Sequence, residues 1–401
     1  MPKAQQKGYL HDTHRLCDPA QTLEKVRPHL ADMGITRIAN LTGLDRVGLP
    51  TVMVTRPNSR SVAVSLGKGL TLEAAKASGV MEAIEAWHAE RITLPLRSAS
   101  FHDLQKEALV ADVERLPRVT GAGFDPQMRM LWIEGSDLAT GTRYWLPYEM
   151  VDTDYTAPPT GGQGAFPRTT NGLASGNSHA EASCHAICEL VERDAITLWH
   201  QAAPGPRIDP ATIDDARCQE ALDRFASAGL DAGIWDITSD IGIPAFHCMI
   251  CEAGGRAGHI GIGSGCHPDR AIAALRALTE AAQTRLTYIS GARDDLDPEE
   301  FKPAAAIERA QYVHRLLLQC QAAARFQDCP VFYSLSFEED QCWLLNKLQT
   351  AGMRQVLTVD LSRSGMGVHV VRAVIPGLEA PHDDPDFVAG ARALRAAEVG
   401  Q

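Results

Sequence analysis

The sequence predicts a mixed α/β architecture of the α+β kind, with helices packed on antiparallel or mixed sheets. Three observations predict it. Two long stretches, 72–90 and 179–195, have helical spacing and are small or apolar nearly all round, the pattern of buried helices. Runs such as PTVMVTRP and SVAVSLGKG are rich in β-branched residues and bounded by turn formers, the pattern of short strands. The chain has 401 residues and is 45% hydrophobic, enough for a large core with two or three subdomains.

Taken in order, residues 1–20 are polar and irregular, and Lys7, Thr13, His14 and Arg15 stand out. Residues 19–33 predict a helix with Leu23, Val26, Leu30 and Met33 on one face. TRIANLTGL and PTVMVTRP predict strands joined by the turn-rich GLDRVGLP. SVAVSLGKG is a third strand and delivers Gly67, Lys68 and Gly69 to a helix capped by Thr71. A strand, a glycine-flanked lysine and a helix N-terminus outline a phosphate cradle, although the Walker A pattern is absent. Residues 98–116 form a connector with a short helix. RMLWIEGSD and TRYWLPYEMV then predict a hairpin turning at residues 139–141. The loop 152–170, rich in glycine, proline and threonine, either closes over a ligand or merely crosses the surface; Arg168 is its one cation. After the second acidic helix, residues 214–230 are helical, and PAFHCMICE and GHIGIGSG are strands feeding a third helix capped by Asp269. Residues 291–303 read as a solvated loop or linker. Beyond it, 305–326 and 338–351 hold helices, and PVFYSL, QVLTVDLS and GVHVVRAVIPG read as strands.

The chemistry concentrates in the acids of those apolar helices. Glu82 and Glu85 form one pair at i and i+3, with Ser78 one turn before. Glu189 and Glu192 form another, followed by Arg193. Such pairs usually mark a solvated face, but these lie inside apolar helices, where an unpaired carboxylate is costly. A divalent cation removes the conflict, and magnesium suits a few carboxylates plus substrate phosphates. Ser178 and Glu181 make a capping box at the start of the second helix. The cap-to-acid spacing is the same from Thr71 to Glu82, Ser178 to Glu189 and Asp269 to Glu280. The third helix has Gln283 where the others have their second acid, followed by Arg285. The expectation is three helices around one shared metal–phosphate site, the third contributing Gln283 and Arg285 and carrying no metal.

Ser78, Glu82 and Glu85, the segment NGLASGN at 171–177, E-x-x-E-R at Glu189, Glu192 and Arg193, and EAAQTR at 280–285 together resemble the YcaO superfamily of ATP-dependent peptide-backbone-modifying enzymes. The similarity extends from about residue 7 to residue 378. DTHRLCDPAQTL, GITRIANLTGLDRVGLP and RPNSRSVAVSLGKG look like the branch associated with TfuA partner proteins, which is linked to peptide thioamide formation. The resemblance implies a YcaO-like fold: an N-terminal segment and strands over 1–66, an ATP- and magnesium-binding core over 67–295, and C-terminal helices and strands of the same domain over 296–401. It implies ATP and Mg2+ as cofactors, with Glu82, Glu85, Glu189 and Glu192 as metal ligands and catalytic groups alongside Arg193. Lys7, Arg15, Lys68, Ser78, Asn177, Glu181, Cys184, Arg193, Gln283 and Arg285 would serve the nucleotide. For Lys7 and Arg15 an exposed basic tail is the alternative. Family members often carry glutamine where this chain has Cys184.

The implied reaction phosphorylates an amide oxygen, making it a leaving group, and needs positioning and charge rather than a nucleophilic side chain. The nucleophile then sets the product. An internal Ser, Thr or Cys gives an azoline, external sulfide a thioamide, and an amine an amidine. Azoline-forming members commonly end in a proline-rich tail; AGARALRAAEVGQ lacks one, so sulfur insertion is favoured. The expected partners are a peptide or protein substrate, a TfuA-like protein and a sulfide or sulfur-carrier donor, with a homodimer as the assembly. A non-catalytic nucleotide- or leader-peptide-binding scaffold is the rival reading, and an ATP-dependent ligase acting on free carboxylates lies between.

A formal net charge of −12 argues against a nucleic-acid binder. No apolar run is long enough for a membrane span and MPKAQQKGYLHDTHR lacks a signal-peptide core, so a cytoplasmic protein is expected. The ten cysteines lack disulfide-scaffold density and should be thiols. Cys248 and Cys251 fall on a strand and should point to opposite faces. Cys184 and Cys188, one turn apart, suit packing, with sulfur handling as the minority alternative.

Overall fold

Three antiparallel sheets each feed one edge strand into one long helix in the computed structural model, which describes residues 5–157, 161–293 and 296–399. After α1 (Pro19–Val26), β1 (Arg37–Asn40), β2 (Thr51–Thr55) and β3 (Val64–Lys68) form the first sheet, and β3 runs into α2 (Leu72–Ala89). The second sheet collects β4 (Leu96–Ser100), β5 (Arg129–Asp137), β6 (Arg143–Pro147), β7 (Leu173–Gly176), β13 (Leu357–Asp360) and β14 (His369–Val374). Its order is β4-β5-β13-β14-β7, with β6 also paired to β5. Its edge strand β7 runs into α4 (His179–Gln201). The third sheet is β9 (Leu230–Asp236), β10 (Ala245–Glu252) and β11 (Gly261–Cys266), and β11 runs into α6 (Arg270–Ser290). The remaining elements are α3 (Phe101–Leu104), α5 (Ala216–Ser227), α7 (Pro303–Gln319), α8 (Phe337–Thr350), α9 (Ala391–Val399) and the parallel pair of β8 (Arg207–Ile208) with β12 (Ala322–Ala324).

The three strand–helix units share a local cause. Thr71 Oγ1 accepts the Ala74 N–H, Ser178 Oγ the Glu181 N–H, and Asp269 Oδ1 the Ala271 N–H, so every expected cap is made. Glycine in the strands lets each helix lie directly on its own strand. A Cβ built at Gly263 would sit 2.3 Å from both the Ala277 oxygen and the Ala281 nitrogen, and one at Gly67 would sit 2.0 Å from the Ala75 oxygen. Each helix also has its own apolar surroundings. α2 shares an apolar cluster with Val52, Val54, Trp132 and Ile133, α4 one with Trp235 and Leu344, and α6 one with Phe225 and Phe246. Burying each such large side chain stabilises the fold by roughly 1.5–3 kcal/mol.

Several elements differ from expectation. The first helix ends at Val26 rather than Met33, because Pro28 cannot donate the next helical hydrogen bond and a 3₁₀ turn follows over Arg27–His29. PVFYSL is not a strand; its Phe332 instead stacks on Trp343, with ring centroids 4.9 Å apart. β4, β7 and β9 were not expected. The boundary at 66/67 between the first two stretches falls inside β3. Cys248 and Cys251 do face opposite sides of β10, one toward Phe246 and α6, the other toward α4. No helix among the described residues is long and apolar enough to cross a membrane.

Candidate active site

α2, α4 and α6 converge on one cavity of about 630 Å³. α2 contributes Ser78, Glu82 and Glu85. α4 contributes Glu181, His185, Glu189, Glu192 and Arg193. α6 contributes Arg276, Thr279, Glu280 and Gln283, and Lys68 enters from the end of β3. The two acid pairs therefore face one space from different helices.

The edge strands hold the acids of α2 in place. The Ser175 hydroxyl on β7 donates to Glu85 Oε1 at 2.6 Å, and the Ser175 N–H donates to Glu85 as well. The Leu66 N–H on β3 donates to Glu82. Even so, enclosure by protein pushes Glu82 up to about 7 and Glu85 up to about 8, with repulsion from Glu189 adding to both. Burial likewise raises Glu189 to about 7 against the pull of Arg193, and Glu192 is raised by burial and by Glu280. Glu280 goes the other way: burial opposes its charge, but Lys68 and Arg193 outweigh it and hold the carboxyl below the usual range. Lys68 Nζ lies 2.6 Å from Glu280 Oε2 and Arg193 Nη1 lies 3.6 Å from Glu192 Oε1.

This donor set fits a divalent cation. Carboxylates that resist ionisation together accept a metal in place of protons. Glu192 Oε2 and Gln283 Oε1, both on residues lining the cavity, are buried acceptors without a hydrogen-bond partner among the described residues. Glu82, Glu85, Glu189 and Glu192 would hold the ion, with oxygen-only ligation suited to magnesium.

Of the nucleotide residues expected from sequence, Lys68, Ser78, Asn177, Glu181, Gln283 and Arg15 line the cavity. Arg15 Nε lies 3.8 Å from Glu181 Oε1, and Glu181 also accepts the Leu16 and Asn177 N–H groups, so it pins the N-terminal segment to α4. Asn177 Oδ1 is engaged by Thr22, Cys17 and Lys25. Three residues depart from expectation. Lys7 does not line the cavity: its ammonium is buried 2.6 Å from Asp340 and 3.2 Å from His14. Arg285 points away from it, bonded to Glu252 at 2.7 Å and close to Asp45, because position 285 lies on the opposite face of α6 from Glu280 and Gln283. Cys184 lies in a small adjoining cleft with Cys188 and His14, its Sγ 3.4 Å from the Phe337 oxygen. His14, His267 and Asp340 cluster there, but the Lys7 ammonium already supplies their cation.

The sequence reading passed over His185, Arg276, Ser175, Asp12 and Asp383. Helical spacing could have found the first two, since 181, 185 and 189 share a face of α4, and 276, 280 and 283 share one of α6. Asp383 comes from a distant loop with no local signal.

The family model for YcaO cyclodehydratases, described as ATP- and Mg2+-binding, matches residues 66–379. The chain belongs to the YcaO family. A protein encoded in the tfuA 3′ region of Rhizobium leguminosarum bv. trifolii is 36% identical over 96% of this chain and 92% of its own length. A protein of Methanothermobacter thermautotrophicus is 34% identical over 92% of this chain and 96% of its own. Among solved structures, YcaO from Methanopyrus kandleri bound with AMPPCP and Mg2+ superposes with a TM-score of 0.76 at 22% identity, covering 96% of this chain and 98% of its own. A heterocyclase in complex with substrate and cofactor also gives 0.76, at 24% identity; 95% of this chain is covered, and the chain spans about half (54%) of that protein. These two likenesses show the shared mixed α/β fold. ATP and Mg2+ are the cofactors of the YcaO family, an ATP-dependent peptide-modifying class.

Proposed function

We propose that this YcaO protein converts a backbone amide of a peptide or protein substrate into a thioamide, using ATP, external sulfide or a sulfur carrier, and a TfuA-like partner. The observation that carries the ATP half is the meeting of two acid pairs from α2 and α4 in one cavity beside Lys68 and Arg193. The product class rests on the likeness, along nearly the whole chain, to a protein encoded in a tfuA region.

Each residue then has a task. Glu82, Glu85, Glu189 and Glu192 would hold magnesium, which when bound neutralises phosphate charge. Arg193 meets charge developing on the transferred phosphoryl group, with Lys68 beside it once its bond to Glu280 is shared. Ser78, Asn177, Arg15 and Gln283 position the triphosphate and nucleoside, and Glu181 holds the N-terminal segment that closes that end. The amide oxygen takes the phosphoryl group and leaves with it as the carbon gains sulfur.

The test is to incubate the protein with ATP, magnesium, sulfide, a TfuA-type partner and a peptide encoded beside its gene, then weigh the peptide. A mass gain equal to sulfur minus oxygen is expected. Loss of one water would mean azoline formation, and incorporation of an amine with loss of water would mean an amidine. ATP turnover that responds only to free carboxylates would mean a ligase. No turnover under any of these conditions would leave the scaffold reading.

A further inference from the structure

Amide activation has a proton to dispose of, and most acids of the cavity are already committed. Asp12 accepts the Leu70 N–H and the Tyr9 hydroxyl, each at 2.8 Å. Glu181 accepts two backbone N–H groups. Glu280 is paired with Lys68. The four remaining helix acids are the metal set. His185 is committed as well. Arg276 can only donate, so its Nη2, 2.9 Å away, makes His185 Nε2 the acceptor and leaves the proton on Nδ1. Among the described residues of the lining this leaves one acid, Asp383, which is exposed and has no hydrogen bond or ion pair to any described residue.

Asp383 is nevertheless held. It lies on a strap, residues 379–393, fastened to α4 at both ends. The Glu379 N–H donates to Asp194 at 3.0 Å, the Thr197 hydroxyl to the Ala380 oxygen at 2.8 Å, and Arg392 to Asp194 at 2.9 Å. Mid-strap, the Thr120 N–H donates to the Asp386 oxygen at 3.0 Å. Next to Asp383, His382 stacks on His200 of α4 with ring centroids 3.7 Å apart. The neighbouring Asp384 accepts the Asp386 N–H at 2.8 Å and is spent on the turn.

We infer that Asp383 is the catalytic base that takes the proton of the incoming nucleophile, a residue role that rests on the thioamide reading above. Hydrosulfide adds to the amide carbon, forming C–S. The carbonyl oxygen takes the γ-phosphoryl group as the bond to ADP breaks. Phosphate then leaves with the C–O bond while the S–H proton passes to Asp383 and C=S forms. ATP, hydrosulfide and amide thus give ADP, hydrogen phosphate and thioamide, the proton passing from sulfur through the Asp383 carboxylate to the departing phosphate.

The test compares wild type, Asp383→Asn, Asp383→Ala and Asp384→Asn with magnesium, ATP, sulfide, partner and peptide. Asp383→Asn should bind Mg·AMPPCP and peptide within about twofold of wild type yet lose about 100-fold or more in kcat, the scale of a missing general base. Formate should restore part of the Asp383→Ala rate, which a structural role would not allow, and Asp384→Asn should stay near wild type. Wild-type turnover matched by Asp383→Asn would overturn this inference alone, as would a loss confined to nucleotide affinity. Failure of wild type to modify any peptide would overturn the thioamide reading and this base with it.

Discussion

Glu189 sits within the site's electrostatic conflict. It faces Glu192 on its own helix and Glu82 and Glu85 across the cavity, with Arg193 and the buried Arg372 as the nearest compensation. Replacing it with Gln keeps shape and removes charge. Glu189→Gln should therefore abolish ATP turnover while leaving the melting temperature unchanged or higher; unchanged turnover would remove Glu189 from the metal set. The raised acids also set a pH dependence. Without metal, Glu82 and Glu189 stay protonated up to about 7 and Glu85 up to about 8. A carboxyl raised on folding favours the native state while protonated, so metal-free stability should fall as pH climbs from the ordinary carboxylate range through those values. Magnesium takes the ionised form, so binding of Mg·AMPPCP should tighten between about pH 6 and pH 9 and release protons near neutrality. Calorimetry in buffers of different ionisation enthalpy reads that release directly; proton uptake would contradict it.

The helices were legible at the scale of the element, and the reason is local. Capping side chains and embedded acids recur at the same spacing, so three starts and three facing positions could be read before any fold was known. Strands β7 and β9 were not legible. LASG and LDAGIWD lack a clean run of β-branched residues, and they are strands because neighbours from elsewhere in the chain pair with them. Arg285 shows the other limit. Register predicted which turn of α6 meets the cavity, but two residues past Gln283 the helix has already rotated onto its opposite face. The strand glycines carry a testable cost. Gly263→Ala would drive a methyl group into the backbone of α6 at 2.3 Å. That overpacking should lower the unfolding free energy by about 1–3 kcal/mol or more. Alanine at Gly229, where no atom lies within 4 Å but φ is +72°, should cost by backbone strain alone. Urea titration of both distinguishes steric contact from strain, and a neutral Gly263→Ala would mean that α6 can lift off β11.

Across the whole molecule, what remained illegible was long-range assembly. Nothing in the local sequence says that residues 379–393 return to α4, yet the joint there is among the most deeply buried charge networks in the described structure. Arg392 is 6% exposed and Asp194 0%. The guanidinium spans Asp194 with two bonds of 2.9 Å and reaches Asp240 at 2.6 Å. Glu379 accepts the N–H groups of Gly390, Arg392 and Ala393 and so caps the start of α9. Because Asp194 directly follows Arg193, the joint also fixes the turn of α4 that faces the cavity. Removing one partner of a buried pair strands the other, at a cost of about 3–5 kcal/mol, whereas replacing both partners together costs far less. Arg392→Ala should thus lower the unfolding free energy by that amount and reduce ATP turnover through loss of position at Arg193. Lysine should rescue poorly, since a single ammonium cannot reproduce the fork. The double variant Asp194→Asn with Arg392→Met should recover a large part of the stability. A thermodynamic cycle over the two single variants and the double one gives the coupling. If the two single losses simply add, the strap is held by its backbone contacts and not by this pair.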